Sequence, residues 1–200
     1  MKMIDFVIPN NNEKEFIIMA ERLGYKELFF LHNFDDFSKN SNSDPKIKIR
    51  RGILATPKNI DKINQKLKDK DVFIAIKSSD TDREIIEKNN VNLIFGFEEI
   101  SRKDFFNQRL SGLDHILCKL AHNNDISIGF SFNSLLNSEN KSIILGRMIQ
   151  NINLCRKFKV KMIIGSFARN PYEMRSPYDL ESLFRILGLK NQISRNGICS

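Results

Sequence analysis

Apolar and polar positions along this chain switch repeatedly between two periods. Short apolar runs at residues 3–8, 27–31, 47–54, 72–76, 91–95, 126–131 and 160–164 have the length and the β-branched or aromatic content of buried strands. The segments between most of them repeat at helical spacing. A helix is predicted over 13–23, stopped by Gly24, and another opens at Thr56-Pro57 and runs to about residue 68. Thr81 to Glu84 has the spacing of a capping box ahead of Ile85 and Ile86. Leu113, Ile116, Leu117, Leu120 and Ala121 make one apolar face over 112–122, and Leu145, Met148, Ile152, Cys155 and Phe158 make another from about residue 142. The last helix is the best marked. Ser176 stands at its N-cap, Pro177 at its first position and Gly188 at its stop, with Leu180, Leu183, Phe184 and Leu187 on one face.

Residues 32–46 read as a polar loop and 98–108 as a charged connection, while the tail after Gly188 is too short for another full unit. Strand-to-helix alternation on this scale predicts a parallel sheet, and seven repeats suit closure better than a small open sheet. The expected fold is α/β: a single TIM-like (β/α) barrel of seven or eight parallel strands, occupying residues 1–200 as one domain.

Composition adds charge to this picture. Lys and Arg number 32 against 24 Asp and Glu, a net +8, and residues 141–200 alone hold eleven cations against three carboxylates. The whole excess therefore sits in the last third of the chain and favours a polyanionic partner. Cys118, Cys155 and Cys199 form no C-x-x-C pair, which points to a reduced intracellular protein. The first apolar run is broken by Asp5 and Pro9 and fits neither a signal peptide nor a membrane span. A soluble, cytoplasmic protein with no membrane partner is expected.

Ligands of a parallel barrel bind where the strands end. Those ends are polar and basic here, and poor in the His and carboxylate clusters that hold metals. His32, His115 and His122 have neither H-x-H nor H-E-x-x-H spacing, so no metal site is expected even if Asp5 and Asp35 join His32. His122 reads as a solvated helix end, and His115, beside Asp114, as a structural hydrogen-bonding residue. No nucleophile elbow, Walker or dinucleotide pattern occurs. Cys118 and Cys155 fall on apolar helix faces and belong to the core. Lys77 is the one lysine placed for Schiff-base chemistry of the aldolase type, against the plainer reading of a cation at the barrel mouth. Arg169 and Arg175 precede the Ser176 cap, where guanidinium forks and helix N–H groups together suit phosphate.

Three segments carry a resemblance: GLDHILCKLAHNNDISIGFS (112–131), NINLCRKFKVKMII (151–164) and above all SFARNPYEMRSPYDLESLFRILGL (166–189). They resemble archaeal ribonuclease P protein component 3, the thirty-kilodalton RNase P subunit family. The resemblance implies a barrel related to the polymerase and histidinol phosphatase superfamily that has lost its metal-binding histidines. DFVIPN after residue 4, with no H-x-H, agrees with that loss. It also implies a subunit that is not itself catalytic and holds no cofactor. Such subunits pair with protein component 2, alongside other RNase P protein subunits, and support the RNase P RNA. That RNA removes the 5′ leader from precursor tRNA with Mg²⁺ of its own, so the tRNA is reached indirectly.

Carried onto this sequence, the family's RNA-binding residues would be Arg109, His115 and Arg175, with Arg83, Arg147 and Arg169 as further members. The resemblance implies an acidic residue where this sequence has Phe167, and it implies a last helix for which the tail is expected to be too short, so partner contacts made there are expected to differ. The alternative function is a metal-dependent phosphoesterase on the same barrel, which needs His and carboxylate ligands converging at the strand ends.

Overall fold

The computed structural model describes residues 4–35, 46–67, 72–88, 90–100, 104 and 109–189. Seven parallel strands pair in chain order: β1 (Ile4–Val7), β2 (Glu27–Asn33), β3 (Lys48–Ala55), β4 (Phe73–Lys77), β5 (Leu93–Phe95), β6 (Ser127–Ser131) and β7 (Met162–Gly165). The helices that cross back outside them are α1 (Glu13–Leu23), α2 (Ile60–Lys66), α3 (Asp82–Lys88), α4 (His115–Asn123), α5 (Phe132–Leu136), α6 (Lys141–Lys157) and α7 (Pro177–Ile186).

The sheet closes on itself just past β7. Val7 bridges Ala168 in parallel. The Phe167 N–H donates to the Phe6 carbonyl, and the Ile8 N–H to the Ala168 carbonyl, each at 2.8 Å. Asp5 stitches the same seam from below: its Oδ1 accepts the Ser166 N–H at 2.6 Å and the Phe6 N–H at 2.9 Å. Seven strands thus suffice for closure, and the tail after Gly188 that bears on an eighth unit lies, from residue 190 to 200, outside the described residues.

Alternation along the strands separates two apolar layers. Leu28, Phe30 and Val7 face outward onto Phe16 and Ala20 of α1, with the Phe16 and Phe30 rings edge to face at 6.5 Å. Phe130 meets Phe184 of α7 in the same outer layer, with ring centroids 6.3 Å apart. Each such buried ring contributes about 1.5–3 kcal/mol relative to leaving it in water.

The inner layer is aromatic. Phe73, Phe29, Phe6, Phe167 and Phe95 form a continuous run across the lumen, with successive centroids at 4.7, 4.9, 5.8 and 4.5 Å. Gly52 and Gly129 make room for it. A Cβ at Gly52 would stand 2.7 Å from the Phe29 ring, and one at Gly129 would stand 2.7 Å from the Phe95 Cβ. Phe167 adopts a left-handed backbone, φ 48°, to place its ring in this stack, where the burial of a whole ring offsets the strain. The Glu27–Arg50 ion pair lies at the N-terminal end of the lumen.

Several boundaries differ from the sequence pattern. β2 continues to Asn33, since His32 is buried beside Phe30 with its Nδ1 3.8 Å from Glu13. α2 begins at Ile60, because Asn59 folds its side chain back onto the Thr56 N–H at 2.7 Å and holds Thr56-Pro57 in a turn. The turn into α3 is held by Asp82, which accepts from the Ser78 hydroxyl at 2.6 Å and the Ser79 N–H at 2.9 Å, rather than by a Thr81–Glu84 box. α5 has no counterpart in the sequence pattern, and Ser131 caps it by accepting the Ser134 N–H at 3.2 Å. Most of the expected 32–46 loop and 98–108 connection lies outside the described residues. Cys118 and Cys155 are in the core as expected.

Candidate nucleic-acid interface

The β7–α7 loop is tied down by hydrogen bonds among its own residues. The chain makes a capped 3-10 turn at Pro171–Glu173: the Asn170 side chain accepts the Tyr172 N–H at 3.0 Å, and the Glu173 carboxylate accepts the N–H groups of Arg169 (2.9 Å) and Asn170 (3.2 Å). Partial burial acts to raise the Glu173 carboxyl's pKa, but these donors and Asn137 outweigh it and hold the group below its ordinary range. Arg175 then lays its guanidinium over the Phe132 ring, 5.3 Å from the centroid, and donates through Nη1 to the carbonyls of Tyr172 (3.1 Å) and Met174 (2.7 Å). From below, the buried Tyr25 hydroxyl donates to the Arg175 carbonyl at 2.8 Å. Arg175 is therefore fixed at both its backbone and its fork, and its Nε and Nη2 have no hydrogen-bond partner among the described residues. Arg169 is exposed on the same loop.

Arg147 does not belong to this surface. It is 4% exposed, inside the wall between α6 and the β5–α4 connection. Its Nη1 donates to the carbonyls of Glu98 (2.9 Å) and Ile100 (2.8 Å), and its Nε and Nη2 donate to Asp104. A guanidinium so completely engaged cannot reach a phosphate, so the place of Arg147 among the RNA-contacting residues is corrected to a structural one. The same network contains Asn151, which donates to Glu98 Oε1 at 2.9 Å and accepts from the Ser111 hydroxyl at 2.6 Å. Glu98 is buried, its Oε2 has no partner among the described residues, and burial pushes its carboxyl up to about 7.

Arg109 leaves that connection and crosses α6 over Gly146, where any Cβ would collide with its guanidinium. Its carbonyl accepts from the Gln150 side chain at 3.1 Å. His115 is exposed at the first residue of α4, and the cap of that helix is Asp114, which accepts the N–H groups of Ile116 and Leu117 at 2.8 Å each. The structural hydrogen bond expected of His115 is thus made by its neighbour. Arg83 is exposed in the first turn of α3, with its Nε 2.9 Å from Glu87, and it shares a hollow with Asp114 at the start of α4.

All five of these exposed or partly exposed groups, Arg83, Arg109, His115, Arg169 and Arg175, emerge where strands end and helices begin. They lie on three connections, β4–α3, β5–α4 and β7–α7. The barrel mouth is a cavity of about 440 Å³ lined by Phe95 and Phe167, and of these five groups Arg169 lines it. Lys77 stands there as a mouth cation, paired with Glu99, which also accepts from the Ser134 hydroxyl. Among the described residues no group of three His, Cys, Asp or Glu side chains comes together to hold a metal ion.

The model of a family described as RNase P subunit p30 matches residues 2–200. This chain belongs to that family. Ribonuclease P protein component 3 of Methanocaldococcus jannaschii is 27% identical over 191 residues, covering 88% of this chain and 78% of the relative. The same component from Methanococcus maripaludis is 26% identical over 189 residues, with the same coverage. A chain in a cryo-EM structure of archaeal ribonuclease P with mature tRNA superimposes with a TM-score of 0.74 at 26% identity, over 92% of this p30-family chain and 82% of that one. The Lactococcus lactis histidinol phosphate phosphatase, solved with Zn, L-histidinol and phosphate, shares the fold alone, with a TM-score of 0.64 at 10% identity. The sequence pattern missed Gly146, Phe132 and Tyr172. An isolated glycine inside the α6 pattern was the available signal for the first, and an aromatic residue in a basic loop for the third.

Proposed function

We propose that this chain is the p30-type RNA-binding protein subunit of ribonuclease P, supporting the RNase P RNA as that RNA removes the 5′ leader of precursor tRNA. The observation that carries the reading is family membership over residues 2–200, joined to the likeness to a chain of an assembled archaeal ribonuclease P. The rim arginines supply the physical means: guanidinium groups presented on capped helix starts neutralise phosphates and brace a folded RNA without performing chemistry. Protein component 2 is the expected partner among the other subunits, and the cytoplasm the expected compartment. No described helix is long and apolar enough to cross a membrane.

Reconstitution tests this directly. Precursor tRNA cleavage by the RNase P RNA with the other protein subunits is measured at limiting Mg²⁺, with and without this chain. Stimulation is expected, and its absence overturns the reading. A metal assay with phosphatase measurement on the purified protein addresses the phosphoesterase alternative.

A further inference from the structure

We propose that Tyr172 is a stacking platform for an unpaired base of the bound RNA, with Arg169 and Arg175 gripping the adjoining phosphates. The inference rests on the RNA-binding reading and names the kind of RNA element this loop takes.

Tyr172 is 80% exposed, yet nothing about its backbone is loose. Its N–H is held by the Asn170 side chain and its carbonyl by Arg175, and Pro171 before it is buried. The ring is thus presented to water from a fixed base, so little freedom is left to lose when a planar group settles on it. Exposed large apolar side chains elsewhere in the described residues are isoleucines, except for Tyr178, 63% exposed in the first turn of the following helix. The two exposed aromatic residues therefore share one loop and helix start with two arginines. An anchor for a protein partner would stand among other apolar groups, with charge depleted around it. Apart from Pro171 and Met174, which are buried, the chain neighbours of Tyr172 are instead Arg169, Asn170, Glu173 and Arg175. An aromatic face between cations matches a single strand, which offers a base face and a phosphate at every nucleotide. Paired bases keep their faces inside the duplex and cannot use it.

The chain has no Trp and three Tyr, and Tyr25 is 2% exposed, so Tyr25 gives a constant background and a stacking base can change only the emission of Tyr172 and Tyr178. In full-length Tyr178→Phe protein, titration with a short oligouridylate is expected to quench that emission, whereas a short RNA duplex binds without quenching. Tyr172→Leu weakens oligouridylate binding by roughly 5- to 100-fold and leaves the salt dependence unchanged. Tyr172→Phe keeps the affinity, and Arg169→Ala lowers the salt slope instead. Unaltered oligouridylate affinity in Tyr172→Leu, in protein that still binds RNase P RNA, overturns the proposal alone. Loss of component 2 binding with RNA affinity intact overturns it in favour of a protein interface. Failure of the unsubstituted protein to bind any RNA overturns the underlying reading as well.

Discussion

Arg147 and Asp104 meet inside the barrel wall, where Nε and Nη2 of the arginine both donate to one carboxylate oxygen, at 3.0 and 2.8 Å. Burial acts to raise the Asp104 carboxyl, but the Arg147 fork and the Leu110 N–H overcome it and hold the group below its ordinary range. Arg147→Met removes at least the four donated bonds described above and strands Asp104 and two carbonyls. We expect a loss of about 3 kcal/mol in urea denaturation, with no rescue by Arg147→Lys, whose point charge lacks the fork.

Gly146→Ala separates packing from recognition. The atoms nearest the added methyl belong to the far end of the flexible Arg109 side chain, so the fold is expected to tolerate it, and alanine in a helix interior gains up to about 1 kcal/mol over glycine. Arg109 is nevertheless pushed off α6. RNA affinity is expected to fall as far as it does in Arg109→Ala, while the thermal midpoint holds or rises.

Stability should fall as pH rises from about 4 to about 7. Asp5, raised by burial from 3.8 to about 6, and Glu98, raised by burial from 4.5 to about 7, keep a proton in the fold that the unfolded chain has already released. Their contribution is full at acid pH and is lost as pH passes through the folded values, on the order of 2–3 kcal/mol for each group. Asp104 and Glu173 are shifted the other way and act only at lower pH, as their carboxylates protonate. Urea midpoints across this window, compared with those of Glu98→Gln, check the sign. The variant should be the flatter and, at the alkaline end, the more stable.

Arg109→Ala combined with Arg175→Ala is expected to weaken RNase P RNA binding and to lower the log–log salt slope by roughly one unit for each phosphate left unneutralised. Binding measured across a salt series reads both. A slope equal to that of the unsubstituted protein would remove these two residues from the interface.

Most of the seven strands were legible as short, largely apolar runs, the third despite Lys48, Arg50 and Arg51 within it, and Ser176, Pro177 and Gly188 marked α7 at both ends. Burial was not legible in the same way. Arg147 lies on a helix whose sequence shows an arginine between apolar positions, and nothing local tells whether Glu98 and Asp104, some forty residues earlier, fold back to meet it. The tyrosine in ARNPYEMRS is equally silent about exposure, since the same letters would serve a buried ring. Phe167 stood out only through the family resemblance, and its place in the lumen stack depends on packing against Phe6 and Phe95 that no spacing rule links. Long-range partners decide these cases, and periodicity carries none of that information.

The seam between β1 and residues 166–168 has a consequence for the order in which the protein is made. β1 leaves the ribosome first, but the backbone groups and the ring that complete it belong to Ser166, Phe167 and Ala168, about 160 residues later. Until those residues emerge, the sheet can grow only by adding strands along one edge, with Phe6 and the other edge of β1 uncovered. Closure is then a late, long-range step, slow by nature and exposed to mispairing with other nascent chains.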